Sequence, residues 1–444
     1  MTPRERPNVV LIVVDALRAD HLSSYGYPRA TSPHLDALAA SGVLGESMYC
    51  AGIPTQPAFT TIHTGQAPMT HGIVSHGGTA ELSKKTPTMA ELFLAAGYTT
   101  CTVDNLMRER LWFGRGFEYV IDPSLRRILH LGVTCEELNA RAIPWLRAHA
   151  AEPFFLFIHY WDPHTPYTPP DQDRGLFYNG GNPTDPSNTS LEDWWRHPMG
   201  VLARETWLQT PAGRITDAEY LVSLYDSEIR HVDRGIAELV GTLDELGLRD
   251  RTLVAVTADH GESMTEHGVF FEHHGLYEST VHVPFVARWP GRIPAGRRLP
   301  QLLQHHDIAP TLLEAVGLRT PAAIEGRSRW KLLSGQDDDP GRDVLFMSEC
   351  THQAKWALRV GRHKLILARA PDFYGTPLRE LYDLVSDPAE KTNIAERVPA
   401  LAASMEAQLE EWIAKRVQEL GRRDDPLREQ GISLKPLMAM GPSS

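Results

Sequence analysis

Short apolar runs alternate with amphipathic segments between residues 8 and 258. The runs at 8–14 (NVVLIVV) and 153–160 (PFFLFIHY) are almost continuously apolar, which is typical of parallel strands buried on both faces. Further strands are predicted at 98–103 and 252–258, and helices are predicted at 32–42, 86–97, 136–150 and 217–247. The alternation predicts an α/β fold, with a doubly wound, mostly parallel sheet sandwiched by helices.

The sequence leaves the continuity of two of these helices open. Pro144 lies inside the segment 136–150 and predicts a kink or an interruption there. The segment 217–247 fits either one long amphipathic helix or two helices in series. The stretch 168–216 is rich in Pro, Gly, Asn and Trp and has no clear period, which is typical of a lid or specificity loop.

The sequence changes character after about residue 335. Short strand-like segments with local turns follow, and then a predicted helix at 398–419. We therefore expect an α/β domain over 1–335, a small subdomain of antiparallel sheet plus helix over 336–420, and a tail over 421–444.

Composition limits the classes of partner. The net charge is −12 and basic residues form no long run, which argues against nucleic-acid binding. No stretch is long enough to span a membrane, and the apolar run at 9–14 is short and ends in an aspartate, unlike a signal peptide. Four widely spaced cysteines among 444 residues favour a reduced, cytoplasmic protein.

Residues capable of chemistry follow several of the predicted strands. Asp15, His159, Asp162, His164, Asp259 and His260 come at or just after strand ends, and Thr55 precedes a helix predicted to begin near Pro57. Each has an ordinary explanation alone, as a cap or a turn residue. Together they would meet at one edge of the sheet, where open α/β folds place their sites. Two carboxylates, an imidazole and a hydroxyl would suit Zn²⁺ or Mn²⁺ better than Ca²⁺.

Seven motifs in the same order and at the same spacing give the chain a resemblance to the alkaline phosphatase superfamily, on its sulfatase and phosphonate monoester hydrolase branch. They are NVVLIVVDALRADHLSSYGY, TSPHLDALAASGV, HTGQAPMTHGIVSHGG, HYWDPHTPYTPP, TLVAVTADHGESMTEHGVFFEHHGLYESTVHVPFV, HDIAPTLLEAVGL and ELYDLVSDPAEKTNIA. They extend from residue 8 to about residue 395, so the resemblance covers nearly the whole chain.

The family's nucleophile motif, C/S-x-P-x-R, is altered here. Its register places Thr55 at the nucleophile position, with Pro57 at the proline position and Phe59 in place of the arginine. Cys50 is too far upstream to substitute. A threonine has one hydroxyl and cannot form the formylglycine hydrate used by the sulfatases that this chain resembles.

The resemblance also assigns roles to other residues. Asp15, Asp259 and His260 would bind a divalent metal with Thr55, and His164 would act on the leaving group. His273 would bind the transferred group, with His274 able to replace it, and His76 occupies a position where relatives often have an asparagine. A second metal, bound by Asp162, His164 and either His273 or His274, remains an alternative.

Several further residues are expected to be structural. His305 and His306 precede a helix and are read as structural or supporting residues, and Tyr225, Asp226 and Asp233 as packing and capping residues.

The resulting functional hypothesis is a metal-dependent hydrolase of phosphodiesters or phosphonate monoesters that uses a covalent Thr55 intermediate. Alternatives are a sulfate-ester hydrolase, a phosphoryl or sulfuryl transferase, and a non-catalytic anion-binding protein. The expected partner is a small-molecule ester, and a homo-oligomer is compatible with the sequence.

Overall fold

The structure, a computed structural model, describes residues 6–124, 132–337, 339–372 and 374–433. Residues 434–444 of the expected tail lie outside these ranges. The strands are β1 (Asn8–Val14), β2 (Val43–Tyr49), β3 (Gly52–Ile53), β4 (Thr99–Val103), β5 (Tyr119–Ile121), β6 (Phe154–Tyr160), β7 (Gln209–Thr210), β8 (Gly213–Arg214), β9 (Thr252–Ala258), β10 (His282–Arg288), β11 (Arg297–Gln304), β12 (Val344–Glu349), β13 (Lys355–Val360), β14 (His363–Ala368) and β15 (Arg379–Asp383).

The α-helices surround and connect these strands. They are α1 (Pro33–Ala40), α2 (Thr55–Thr64), α3 (Pro68–His71), α4 (Met89–Ala95), α5 (Leu106–Glu109), α6 (Cys135–His149), α7 (Glu192–Trp195), α8 (Pro198–Glu205), α9 (Ala218–Glu245), α10 (Glu278–Val281), α11 (Ile308–Ala315), α12 (Trp330–Leu333), α13 (Pro399–Glu419) and α14 (Pro426–Gln430).

The large sheet has the strand order β11-β2-β10-β9-β1-β6-β4-β5. Its strands are parallel except β10, which is antiparallel to both neighbours. Every residue of β1, β6 and β9 is buried, because helices cover both faces. The predicted α/β fold with a mostly parallel sheet is therefore confirmed.

Helix boundaries follow the local capping chemistry. Thr88 and Glu91 form a capping box at the start of α4, and Thr134 and Glu137 form one at α6. α6 continues through Pro144, so the predicted interruption does not occur. α9 is a single helix of 28 residues, which decides between the two readings of that segment.

A second sheet lies beside the first, in the order β15-β14-β13-β12-β3. Its strands after residue 335 are antiparallel, as predicted, and α13 packs against it. β12 also pairs with the short β3, which immediately precedes α2. The small sheet therefore helps to position the start of α2.

The stretch 168–216 contains two short helices and the hairpin β7–β8. Trp194 is buried within it, so this segment packs onto the domain and contributes apolar surface to the core. Within the described ranges, no helix combines the length and apolar character needed to cross a membrane.

Candidate active site

Asp15, Thr55, Asp259 and His260 converge at one edge of the large sheet. β1 and β9 are parallel, with Val14 paired to Ala258, so Asp15 and Asp259 leave the two strands side by side. Thr55 approaches from the first residue of α2. The two aspartates and the histidine are fully buried, and Thr55 is 4% exposed.

The Nε2 atom of His260 lies at the centre of this group. It is 3.2 Å from Asp259 Oδ2, 3.7 Å from Asp15 Oδ1 and 3.5 Å from Thr55 Oγ1. The ligand atoms of the two aspartates and the histidine all lie within 4.8 Å of one another. The residues predicted to form a metal site are therefore together in space.

The hydrogen bonds show that the ligand atoms of this group are acceptors, and that those of the two aspartates receive no hydrogen bond from the described residues. His260 Nδ1 donates to the Gly261 carbonyl at 2.9 Å, which leaves the lone pair on Nε2. Asp15 Oδ1 and Asp259 Oδ2 are buried and have no hydrogen-bond partner among the described residues. Buried acceptors that face one another are costly unless a cation binds between them. The nitrogen and oxygen donor set therefore fits a divalent metal such as Zn²⁺ or Mn²⁺.

Protonation equilibria agree with this assignment. Burial lowers the pKa of His260 to about 3, so the ring is in the neutral form that binds metals. Burial and the charge of Asp15 raise the pKa of Asp259 well above its usual value. Burial alone would raise the pKa of Asp15, but His164 and His159 outweigh it and lower that pKa. A cation would allow both carboxylates to be ionised together.

A layer of supporting contacts orients the two carboxylates. His159 Nε2 lies 3.1 Å from Asp15 Oδ2, and Asp259 Oδ1 accepts the backbone N–H groups of Ala16 and His260 at 3.2 and 2.8 Å. Each aspartate thus uses one oxygen for support and directs the other toward the site.

Thr55 does not act as the N-cap of its helix. α2 begins at Thr55, Pro54 occupies the N-cap position, and no side-chain cap hydrogen bond is present. The helix therefore starts two residues before the predicted Pro57. The Thr55 hydroxyl faces His260 instead. It lies at the N-terminal end of α2, where the first backbone N–H groups of a helix have no partners within the helix.

The position of the missing arginine is filled by an aromatic side chain. Phe59 is fully buried and its ring meets His159 edge-on, with centroids 4.6 Å apart. This position therefore contributes no positive charge. Cys50 also does not reach the site with its thiol, which donates to the Asp259 carbonyl at 3.1 Å.

His164 and His273 lie above the buried group and are partly exposed. His164 Nδ1 donates to the Thr165 carbonyl at 2.6 Å, so its Nε2 is the nitrogen available to a substrate. The His273 ring stacks on His260 with centroids 4.7 Å apart and lies 4.9 Å from the His164 ring. Its Nδ1 is 3.7 Å from Glu262 Oε2, a fully buried carboxylate that the sequence did not indicate.

His76 lies on another side of the opening, near residues that no motif had identified. Its Nε2 is 3.6 Å from Glu109 Oε2. Gln56 Nε2 donates to the same carboxylate oxygen at 3.0 Å, and Arg110 Nε donates to Gln56 Oε1 at 3.2 Å. Glu109 and Arg110 come from a region without recognisable motifs, so only the three-dimensional structure places them beside α2.

The alternative set for a second metal does not come together. Asp162 Oδ2 accepts the Cys135 N–H at 3.0 Å, and its ligand atoms group with Cys135 and His231. In the described part of the chain, Asp162 and His164 do not form a converging group of ligand atoms with either His273 or His274. His274 turns instead toward Glu349.

The residues expected to be structural have structural contacts. Asp233 accepts the backbone N–H groups of His34 and Leu35 at the start of α1, and the Tyr225 hydroxyl donates to the Ala16 carbonyl at 2.7 Å. Asp226 contacts His21, Tyr27 and Arg29. His305 and His306 are buried just before α11.

Comparisons with known proteins identify the family. The family model "Sulfatase" matches residues 7–318, and the model "N-sulphoglucosamine sulphohydrolase, C-terminal" matches residues 265–419. The chain is 24% identical to the Delta 4,5-hexuronate-2-O-sulfatase of Bacteroides thetaiotaomicron, over 93% of this chain and 90% of that protein.

Solved structures show the same fold. The phosphonate monoester hydrolase of Agrobacterium radiobacter is 22% identical with a TM-score of 0.73, covering 93% of this chain and 96% of that one. The phosphonate monoester hydrolase of Silicibacter pomeroyi is 23% identical with a TM-score of 0.71, covering 95% and 97%. The chain belongs to the sulfatase family of ester hydrolases, which has an alkaline phosphatase-like fold.

Proposed function

We propose that this protein hydrolyses phosphate esters, as phosphodiesters or phosphonate monoesters, through a covalent intermediate on Thr55. The observation that carries the proposal is an unmodified threonine at the nucleophile position, with its hydroxyl 3.5 Å from His260 Nε2 in the buried carboxylate–histidine group.

The threonine restricts how a covalent adduct can be released. A formylglycine hydrate has a second hydroxyl, which allows a sulfated intermediate to collapse without attack at sulfur. Thr55 has one hydroxyl and a methyl group, so its adduct is released only when water attacks the transferred atom. Phosphorus accepts that second displacement readily, and this favours phosphate over sulfate esters.

The first displacement forms the bond between Thr55 Oγ and phosphorus and breaks the bond from phosphorus to the leaving-group oxygen. The Thr55 hydroxyl proton is released to solvent, and His164, protonated on both ring nitrogens, donates its Nε2 proton to the leaving-group oxygen. When bound, the divalent cation supplies positive charge that lowers the pKa of the Thr55 hydroxyl and offsets charge on the transferred group. The backbone N–H groups of Thr55 and Gln56, at the start of α2, and the ring of His273 contact the non-bridging oxygens. Water then gives a proton to His164 Nε2 and attacks phosphorus, and Thr55 Oγ leaves and takes up a proton from solvent.

A sulfate-ester hydrolase is the second candidate. The Bacteroides relative favours this candidate, because that protein is named a sulfatase and its similarity extends over most of both chains. The two phosphonate monoester hydrolase structures show the fold alone at their level of identity, so the unmodified Thr55 is what favours the first candidate. Parallel assays with matched nitrophenyl phosphodiesters, phosphonates and sulfates separate the two.

Replacing the nucleophile should abolish turnover without unfolding the protein. We expect Thr55→Ala to lower kcat/KM by at least about 10³-fold, because no other hydroxyl can form the adduct. Thr55→Ser should retain most activity. Thr64→Ala is the matched control, since this hydroxyl at the other end of α2 donates to the Thr60 carbonyl at 2.6 Å. A folded, metal-containing Thr55→Ala protein with near wild-type turnover would contradict the proposal.

Removing a metal-binding carboxylate should remove the metal. We expect Asp15→Asn and Asp259→Asn to lose bound metal, measured by elemental analysis after gel filtration, and to lower activity by about 10²-fold or more. Asp233→Asn is the matched control, because this carboxylate caps α1 and should leave the metal content unchanged. Full metal content and activity in either site variant would show that the assignment is wrong.

The role of His164 is tested by the leaving group. We expect His164→Asn to lower kcat/KM for alkyl esters by about 10²–10⁴-fold and for nitrophenyl esters much less. An activated phenolate leaves without protonation, whereas an alkoxide does not. Equal losses for both substrates would rule out proton donation by His164.

A further inference from the structure

A second buried group of ligand residues lies beside the active site. Glu272, His274 and His352 each place one ligand atom within 4.8 Å of the others, and their exposed fractions are 7%, 4% and 6%. Glu272 and His274 lie between β9 and α10, whereas His352 lies between β12 and β13. The group therefore joins the large sheet to the small sheet.

Hydrogen bonds to His274 place its lone pair toward this group. Its Nδ1 lies 2.7 Å from Glu349 Oε1, and the other oxygen of Glu349 accepts the Gly275 N–H at 2.7 Å. A histidine that donates Nδ1–H to a carboxylate presents Nε2 as a ligand, which is the usual arrangement of metal-binding histidines.

His352 and Glu272 are oriented by one tyrosine. The Tyr374 hydroxyl donates to Glu272 Oε2, so it accepts from His352 Nδ1 at 3.0 Å. This places the lone pair of His352 on Nε2. Glu272 Oε1 is buried and has no hydrogen-bond partner among the described residues. Glu272 Oε1 and His274 Nε2 thus remain as acceptors, and His352 adds an imidazole ring to the group.

We infer that Glu272, His274 and His352 bind a second divalent cation, of the Zn²⁺ class. Two histidines and one glutamate are a common protein ligand set for zinc, with Zn–N and Zn–O distances of about 2.0–2.2 Å. Ligand atoms around a tetrahedral zinc ion are about 3.3 Å apart. The distances between the three ligand atoms therefore need to shorten by no more than about 1.5 Å, which small side-chain rotations can supply.

This site is separate from the active-site metal group, because the two share no ligand. His273 lies between them, with its ring 4.7 Å from that of His260 and 5.1 Å from that of His274. A cation here would fix the small sheet against the loop that carries His273.

Another group, Cys135, Asp162 and His231, is less suited to a metal. Asp162 already accepts the Cys135 N–H, and His231 Nε2 lies 3.1 Å from Glu136 Oε2. Its acceptors are therefore satisfied within the protein, whereas Glu272 Oε1 is not.

The stoichiometry of bound zinc tests the inference independently of catalysis. The full chain, loaded with Zn²⁺ and gel-filtered, should hold two equivalents by elemental analysis. Glu272→Gln and His352→Gln should each hold one, Asp259→Asn should hold one, and Asp259→Asn combined with His352→Gln should hold none. His197→Gln is the matched control, because its ring stacks on Tyr374 at 5.2 Å without belonging to the ligand group, and it should hold two.

A stability measurement covers the case in which a ligand variant folds poorly. In the Asp259→Asn protein, added Zn²⁺ should raise Tm by about 2–5 °C, and the added His352→Gln change should remove that shift. Two results would overturn the inference: one equivalent in the wild-type protein that Glu272→Gln retains, or no Zn²⁺-dependent shift in Asp259→Asn. Loss of activity in Thr55→Ala would bear only on the proposed function, and zinc content only on this site.

Discussion

Two buried carboxylates that face each other across neighbouring parallel strands set the main physical demand on this structure. At effective dielectric constants typical of proteins, ionised oxygens within 4.8 Å repel by about 3 kcal/mol or more. No donor from the described residues reaches Asp15 Oδ1 or Asp259 Oδ2. A divalent cation between the two oxygens would remove this repulsion and let both carboxylates be ionised.

The sheet provides the rigidity that this arrangement needs. β1 and β9 are largely apolar and are buried along their whole length, and their register sets the two aspartates side by side. The small sheet contributes through β3, which pairs with β12 and leads directly into α2. Thr55 is therefore positioned through the small sheet, and its hydroxyl is placed by backbone structure rather than by a flexible loop.

The central strands and the metal group were predictable because their signals are local. The apolar runs identify β1, β6 and β9, and Asp15, Asp259 and His260 follow them directly in sequence. β2 and β11 were not predicted, because VLGESMY and RRLPQLLQ mix apolar residues with glycine, glutamate, arginine and proline. β11 is at the sheet edge, where charged residues and proline are tolerated. Glu109, Glu262, Glu272 and His352 gain their significance only from contacts between distant segments, which no single sequence pattern reports.

The central claim is that the transferred group passes through Thr55, and the stereochemical course at phosphorus tests it most directly. The measurement uses a phosphorothioate diester of one configuration at phosphorus, hydrolysed in ¹⁸O-labelled water, with the configuration of the product determined by NMR. Each in-line displacement inverts phosphorus, so two successive displacements through Thr55 predict overall retention. Overall inversion would show that water attacks the substrate directly and would contradict the covalent mechanism.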